Sequence, residues 1–218
     1  MVNEKISIKC PHLILCEGED ELHFLISYLG KLIKNGEGIY GSFQVLSFGG
    51  NEQLTLFIET LASTPQYDGV KSITIIRDAE KDFIAAVQSI RSSLSHNGFS
   101  APQDPCQIAL SGSLKIGFAL FPALSDAGGN GTLEDLCLNN LSENAEEILG
   151  DIECFLISLQ HRRHREFPRY HKSKLHTYLS VTDKYVGLKI GEAAKANAVN
   201  FECEELQRLK CFLKEMAN

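Results

Sequence analysis

The sequence predicts an α/β protein with a central, mostly parallel four-stranded sheet flanked by helices and followed by a C-terminal helical extension. Three observations lead to this prediction. First, four apolar runs have the length of buried strands. Second, these runs are separated by helix-length segments that have apolar residues every three to four positions. Third, glycines or carboxylates follow the ends of several of the runs. Strands that are separated by helices imply right-handed crossover connections and a parallel sheet.

The first half of the chain alternates strands and helices. Residues 11–16 are the first predicted strand, and the apolar stripe across residues 22–33 predicts a helix that the Asn35-Gly36 pair ends. We expect further strands at 43–48, 70–77 and 114–121, and helices at 54–61 and 83–94.

The pattern changes after Pro122, where a glycine-rich loop leads into a short helix that Thr132 is suited to cap. Residues 1–125 are therefore predicted to be the α/β core, and residues 126–218 a mainly helical extension that completes the same domain. Within the extension we expect helices at 151–160, 173–180, 187–196 and 206–216.

The composition limits the class of protein. With 44% hydrophobic residues among 218, the chain is long enough to bury a core. No apolar run approaches the roughly 20 residues that span a bilayer, so we expect a cytoplasmic protein with no membrane partner. The seven cysteines include no CxxC pair, which argues against a disulfide framework and against a structural zinc site.

One segment is basic although the chain carries a net charge of −7. Residues 161–176 read HRRHREFPRYHKSKLH, with six Lys or Arg residues against one acid. Two aromatic residues lie among them, so we expect a phosphate backbone with stacked bases, in DNA or RNA, as a partner. The alternative is a solvated loop whose charges pair with the acidic remainder. The candidate nucleic-acid-binding residues are Arg162, Arg163, Arg165, Arg169, Lys172 and Lys174.

Carboxylates follow two of the predicted strands. Glu17 ends the first strand with Glu21 four residues on, and Asp78 and Glu80 end the third. The carboxyl ends of parallel strands face one crevice, so these acids are expected to converge there. A cluster of carboxylates needs a cation or shared protons, and Mg²⁺ prefers such oxygen ligands. The alternative is that acids in the first turn of a helix only complement its dipole.

These residues carry a resemblance to a known domain. LILCEGEDELHFL followed by TIIRDAEKD resembles the Toprim domain of topoisomerases, bacterial primases and OLD-family (overcoming lysogenization defect) nucleases, whose motifs are a Glu-Gly after one strand and an Asp-x-Asp after a later one. The matching positions here are Glu17-Gly18 and Asp78-Ala79-Glu80, with Glu80 in place of the second aspartate. The resemblance implies a Rossmannoid fold and a site for Mg²⁺ or Mn²⁺.

Two later segments are similar to a small Toprim-like family allied to the OLD nucleases. Thr132-Leu133-Glu134 implies that Glu134 is a ligand of a second metal ion, and the segment at 172–179 implies Lys174, or failing that Lys172, as the cation that balances charge in the transition state. The implied reaction is metal-dependent phosphodiester cleavage or transfer, with Glu17 as a ligand or as a general acid or base. No GxxxxGK[ST] motif is present, so a separate ATPase is an expected partner.

Other functions stay open at this stage. A non-catalytic Toprim-like module that binds nucleic acid or a protein is the main alternative. A receiver-like signalling domain, with Asp78 accepting phosphate, is a second. The acids at 17–20 disfavour a dinucleotide site, because they would repel a pyrophosphate. A homo-oligomer is also open.

Overall fold

A computed structural model describes residues 6–126, 128–142 and 145–218, and across them the chain forms five strands and eight α-helices. The strands are β1 (His12–Cys16), β2 (Phe43–Ser47), β3 (Ser72–Asp78), β4 (Ile108–Ser111) and β5 (Leu114–Phe121). The helices are α1 (Glu19–Lys34), α2 (Leu54–Ala62), α3 (Phe83–His96), α4 (Leu133–Asn139), α5 (Glu146–Arg163), α6 (Tyr170–Val181), α7 (Ile190–Lys195) and α8 (Glu204–Ala217).

The strands form one sheet in the order β2-β1-β3-β5-β4. Strand β1 pairs in parallel with both β2 and β3, and β3 pairs in parallel with β5, so the predicted parallel core is confirmed. The chain leaves β1 toward β2 and then returns to β3 on the other side. This reversal makes the carboxyl ends of β1 and β3 the switch point, where open α/β sheets bind their ligands.

The prediction of four strands is wrong, because β4 adds a fifth. It pairs antiparallel with β5 through a tight turn at Gly112, whose φ of +63° suits glycine. This edge strand has only four residues, none of them fully buried. Neither a long apolar run nor a clear alternation therefore marked it in the sequence.

Helices cover both faces of the sheet. The side chains of β1 alternate: Leu13 and Leu15 pack with α2 and α3 on one face, whereas Ile14 and Cys16 pack with α1 and the C-terminal helices on the other. All five residues of β1 are buried. The centre of the sheet is therefore a well-packed support for the residues that follow the carboxyl ends of the strands.

The C-terminal helices pack against the α1 face. Gly191 in α7 lies so close to α1 that a Cβ atom there would stand 2.2 Å from the Cβ of His23. The hydroxyl of Tyr28 in α1 donates a hydrogen bond to the carbonyl of Leu206, and that of Tyr40 donates to the carbonyl of Lys210, so α8 is tied to the first half of the chain.

Most predicted helices are present with shifted ends. Thr132 caps α4 as predicted, in a capping box with Asp135. Helix α5 is longer than the predicted 151–160, and α7 is shorter than 187–196. Two residues of the stripe predicted for α1, Ile26 and Ile33, are exposed at 49% and 43%.

Two further findings concern the cysteines and the membrane. All seven cysteines are free thiols, of which Cys16, Cys137 and Cys203 are buried. In the part of the chain that the structure describes, no helix combines the length and the apolar character needed to cross a membrane.

Candidate functional site

A cavity of about 790 Å³ opens at the switch point, beyond the carboxyl ends of β1 and β3. Four parts of the chain contribute most of its walls: the turn from β1 into α1, the end of β3, the start of α4 and the segment that enters α6. The carboxylates predicted as metal ligands all line it, namely Glu17, Glu21, Asp78, Glu80 and Glu134.

Asp78 lies at the bottom of this cavity with 8% of its surface exposed. Its Oδ1 accepts a hydrogen bond of 2.8 Å from the backbone amide of Leu133, the first residue of α4. Burial, together with the charges of Glu21 and Glu134, raises the pKa of Asp78 to about 8. In a protein without a bound cation, the buried carboxyl therefore holds a proton near neutral pH.

Glu17 leans toward Arg77, the only charged residue inside β3 before its terminal aspartate. Its Oε2 lies 3.9 Å from Arg77 Nε, and the arginine side chain is almost fully buried. Within the described residues this Oε2 is also buried without a hydrogen-bond partner. Burial raises the pKa of Glu17, although Arg77 opposes that effect. A buried carboxylate oxygen that accepts no hydrogen bond is suited to bind a cation.

Glu21 occupies the space that the missing side chain of Gly18 leaves open. A Cβ atom at position 18 would stand 3.0 Å from Glu21 Oε2. The glycine thus lets the carboxylate fold back against the turn, and burial there raises the pKa of Glu21. The Glu17-Gly18 pair therefore has two roles. It follows the end of β1, and Gly18 leaves the space that the Glu21 carboxylate occupies.

Lys172, in α6, reaches across the cavity to two carboxylates. Lys172 Nζ lies 2.8 Å from Asp20 Oδ2 and 3.4 Å from Glu134 Oε1. Burial lowers the pKa of Lys172, but the hydrogen bond to Asp20 and the charge of Glu134 outweigh burial and raise it. The ammonium group is therefore fully charged and neutralises part of the carboxylate cluster.

The segment before Lys172 is fastened to α4. Asp135 accepts a hydrogen bond from the Thr132 amide at 2.8 Å, and its carboxylate also contacts Nδ1 of His171. Arg169, which precedes α6, lines the cavity as well. We call residues 168–172 the basic wall, because they face the carboxylates with Arg169, His171 and Lys172.

The other basic residues lie away from the cavity. Arg162 and Arg163 are in the last turn of α5, Arg165 follows it, and all three are exposed. Lys174, the first choice for a catalytic cation, points instead to Glu153 in α5, with Nζ 2.8 Å from Oε2, and does not line the cavity. Lys172, the second choice, is the lysine that reaches the carboxylates.

Glu80 is on the rim. It is exposed and has a φ of +57°, and its backbone pairs with Gly131 through two hydrogen bonds of 2.8 and 2.7 Å. Asn130 fixes the same corner by accepting from the Phe83 amide and donating to the Lys81 carbonyl. The backbone thus joins the end of β3 to the loop before α4, and Glu80 itself stands farther from the buried centre than Asp78.

The carboxylate oxygens of the cavity are of the kind that binds a divalent cation, although the described side chains are not arranged around a common point. The oxygen donors, the Glu17 Oε2 atom that accepts no hydrogen bond among the described residues, and the raised pKa of Asp78 all favour a cation such as Mg²⁺. Over the ranges 6–126, 128–142 and 145–218, however, no group of three or more His, Cys, Asp or Glu residues is arranged to hold an ion. Small side-chain movements would have to gather the carboxylates, with Lys172 leaving Glu134.

Sequence reasoning missed four residues of the site. Arg77 supports Glu17, and its signal was a lone arginine near the end of an apolar strand, which needs a counter-charge when buried. Asp20 was not among the predicted site residues, but it accepts a hydrogen bond from Lys172. The contact between Asp135 and His171 joins residues 36 positions apart, and no sequence pattern links them.

The fold and the site together define an α/β protein with a cavity at the switch point of a mostly parallel sheet. The chain belongs to the family described as "Protein of unknown function (DUF3226)", whose family model matches residues 11–218. The comparisons with curated proteins and with solved structures gave no match.

Proposed function

We propose that this protein cleaves or transfers phosphodiester bonds in DNA or RNA in a reaction that depends on Mg²⁺ or Mn²⁺. The observation that carries the proposal is one cavity with carboxylates on one side and the basic wall on the other. Acids alone would repel a phosphate, and basic residues alone would not hold a metal. A site with both suits a phosphate that binds next to a cation.

The relationship to Toprim domains and OLD-family nucleases is part of this proposal. Its support is the register of the sheet, in which β1 and β3 are neighbours and their ends carry Glu17 and Asp78. Both motif residues therefore face the same cavity. The cytoplasmic location expected from the sequence also remains a proposal.

Asp78 and Glu134 are the first candidates to hold the cation, because both are buried and the charge of Glu134 raises the pKa of Asp78. Glu17 and Glu21 are the next candidates, and Glu80 contributes from the rim. A bound Mg²⁺ supplies charge for the phosphoryl oxygens and lowers the pKa of a water molecule.

The residues around the cation have separate tasks. Glu17, whose pKa is raised by burial, is suited to move a proton as general acid or base. Arg77 holds Glu17 in place from behind. Lys172 and Arg169 bind the substrate phosphate and offset the charge that develops during cleavage. The chain's own contribution is thus to position the phosphate against the carboxylates.

The test is cleavage of labelled single- and double-stranded DNA and RNA by the purified protein. Each substrate is incubated with Mg²⁺, with Mn²⁺ and with EDTA. We expect cleavage that needs the metal and that is lost in Asp78→Asn. An Asp82→Asn variant is the matched control, because Asp82 caps α3 through the Ala85 amide and does not line the cavity. Equal activity of Asp78→Asn and wild type would refute the assignment.

A second candidate is a non-catalytic module that binds nucleic acid or a protein, including a separate ATPase. The observation that favours it is the pairing of Lys172 with Asp20 and Glu134, which stabilises the carboxylates without a metal. This candidate predicts nucleic-acid binding that EDTA does not weaken and no cleavage under any of the metal conditions.

A further inference from the structure

His171 is a histidine in the wall of the cavity. The chain has seven histidines, all within its described part, and His171 is the one that lines this cavity. Its Nδ1 contacts Asp135 Oδ1, and 59% of the side chain is exposed. The ring also lies edge-on against that of Tyr170, with centroids 5.9 Å apart. Because Nδ1 is occupied, Nε2 is the nitrogen that His171 presents for the transfer of a proton.

Asp135 is held so that one of its oxygens is left for His171. Its Oδ2 accepts hydrogen bonds from the Thr132 amide at 2.8 Å and from the Thr132 hydroxyl at 3.1 Å. Gly131 leaves space for this oxygen, since a Cβ atom there would stand 2.8 Å from Oδ2. The capping box of α4 uses this oxygen alone. The contact of Oδ1 with His171 is therefore not a requirement of the helix.

The pair of Asp135 and His171 has the arrangement of a proton carrier. A carboxylate at one ring nitrogen fixes the tautomer and the orientation of an imidazole, and it stabilises the imidazolium when the ring takes up a proton. The Asp135 side chain is only 15% exposed, so water screens this interaction little. A contact that served only to fasten α6 to α4 would not have to lie in the wall of the cavity.

The position of His171 in the basic wall sets it beside the substrate phosphate. Arg169 and Lys172, which bind this phosphate in the proposed function, flank it in the sequence and also line the cavity. Glu17, the other group suited to move a proton, is one of the carboxylates opposite. In an in-line displacement the attacking and leaving oxygens lie on opposite sides of the phosphorus atom. Two proton carriers on facing walls match this requirement.

We propose that His171 is the general acid of the reaction, that its Nε2–H gives a proton to the oxygen that leaves, and that Asp135 positions it. This inference rests on the proposed function, because it assumes a phosphodiester in the cavity. It also assigns the two proton transfers separately: Glu17 acts as the base and His171 as the acid.

The step balances in protons and electrons. A lone pair of a water oxygen forms the new bond to phosphorus, and Glu17 takes a proton from that water. The bond between phosphorus and the sugar oxygen breaks, its electron pair stays on the sugar oxygen, and the Nε2 proton of His171 joins it there. Glu17 is then a neutral carboxyl group and His171 a neutral imidazole. Loss of a proton from Glu17 to solvent and uptake of one by His171 restore the site.

The first test replaces the leaving oxygen with sulfur. Oligonucleotides with one phosphorothiolate linkage, which has sulfur at either bridging position, are compared with the all-oxygen sequence in single turnovers with Mn²⁺. A thiolate leaves without a proton, because a thiol is a much stronger acid than an alcohol. We expect His171→Gln to slow cleavage of the oxygen linkage by about 100-fold or more, and that of one sulfur linkage by less than about threefold.

His23→Gln is the matched control. The His23 side chain is 60% exposed and also contacts a carboxylate, that of Glu19, but His23 does not line the cavity. This variant should cleave every linkage at the wild-type rate. Glu17→Gln should slow the oxygen and sulfur linkages alike, because it acts on the attacking water.

The outcomes separate this inference from the proposed function. If wild type cleaves the oxygen linkage and His171→Gln does so equally fast, the inference fails alone. It also fails alone if the loss in His171→Gln is the same with oxygen and with sulfur, since a structural role would give that result. If wild type cleaves none of the linkages, the proposed function fails and this inference fails with it.

The second test concerns the positioning role of Asp135. Asp135→Asn keeps an acceptor for the Thr132 amide but removes the charge beside His171. It should slow the oxygen linkage and spare the same sulfur linkage as His171→Gln. The variant with both substitutions should be no slower than His171→Gln, because the two residues act through one proton. Losses that multiply in the double variant would contradict this role.

The third test needs no substrate. Nitrogen NMR of the imidazole rings, at a pH at which His171 is neutral, should show its proton on Nδ1, where Asp135 accepts it. His171→Gln identifies the signal, and Asp135→Asn should shift the proton toward Nε2. A neutral His171 that carries its proton on Nε2 in wild type would overturn the inference, independently of any cleavage.

Discussion

The carboxylate of Asp78 accepts a hydrogen bond from the backbone amide of Leu133, 55 residues farther along the chain, at 2.8 Å. This bond fixes the start of α4 against the end of β3. Glu134, the next residue, is buried beside it as a consequence. A single contact between a side chain and the backbone thus brings together two acids that belong to different halves of the sequence.

Asp78→Asn should stabilise the protein in the absence of metal. The pKa of Asp78 is about 8 in the folded protein against 3.8 ordinarily, so between these values the folded state holds a proton that the unfolded chain releases. The contribution of this group to stability is therefore full below about pH 4 and declines as the pH rises to 8. We expect Asp78→Asn to exceed wild type by about 2–4 kcal/mol at pH 8 and to match it near pH 4.

Urea unfolding in EDTA across this pH range measures the difference. Asp78→Ala is the informative companion, because alanine removes the charge but also the acceptor for the Leu133 amide. Its gain should be smaller by about 1 kcal/mol or more. An Asp78→Asn variant that is less stable than wild type at pH 8 would show that the carboxylate is paired rather than buried alone.

Mg²⁺ should raise the thermal stability of wild type. A ligand that binds only the folded state stabilises it by about 2.7 kcal/mol at a concentration 100 times its dissociation constant. Asp78→Asn and Glu134→Gln should lose most of this gain, whereas Asp82→Asn should keep it. The melting temperature with and without Mg²⁺ measures the effect, and a gain that survives in Asp78→Asn would place the cation elsewhere.

Lys172→Met should bind Mg²⁺ more tightly than wild type, because the lysine no longer competes for Glu134. Partly exposed ion pairs contribute about 1 kcal/mol, which corresponds to roughly fivefold in affinity. The same variant should cleave more slowly, since a cation that binds the substrate is lost. Calorimetric titration with Mg²⁺ separates the two effects.

Lys174→Met is the matched control for that experiment. Lys174 is two residues away in the same helix, but its partner is Glu153 in α5. Neither metal affinity nor the cleavage rate should change. The assignment of Lys174 from the sequence resemblance predicts the reverse, a slow Lys174→Met variant, so the pair of lysine variants distinguishes the two.

Gly191→Ala should destabilise the fold by about 1–3 kcal/mol, because the new Cβ atom would lie 2.2 Å from His23 Cβ and 2.9 Å from its carbonyl carbon. Gly30→Ala is the opposite case. It lies in α1 with nothing within 4 Å of the added atom, and replacing a helical glycine should stabilise by up to about 1 kcal/mol. Urea midpoints measure both, and similar shifts for the two would argue against close packing of α7 on α1.

The centre of the parallel core was predictable because β1 and β3 are buried along their whole length and consist mainly of apolar residues. Strand β4 was not, since its four residues are only partly buried and its pairing depends on the turn at Gly112. Ile26 and Ile33 were placed on the buried stripe of α1 but are exposed, because the C-terminal helices cover only part of that helix.

The acids of the site were predictable for a different reason. Parallel strands place their ends at one edge, so Glu17 and Asp78 had to be near each other once the register was fixed. The choice between Lys172 and Lys174 was not predictable, because it depends on the rotation of α6 about its axis. That rotation is set by tertiary packing, including the contact between His171 and Asp135, which no local pattern encodes.

The hydroxyl bonds from Tyr28 to Leu206 and from Tyr40 to Lys210 have a consequence for biosynthesis. They join residues 28 and 40 to helix α8, which the ribosome makes after every acid of the cavity. The core on the α1 face therefore remains open to solvent until α8 has been synthesised. A nascent chain that already carries every acid of the cavity but not yet α8 lacks the support on which α1 and Glu21 rest, so full activity is expected to begin only once α8 has packed.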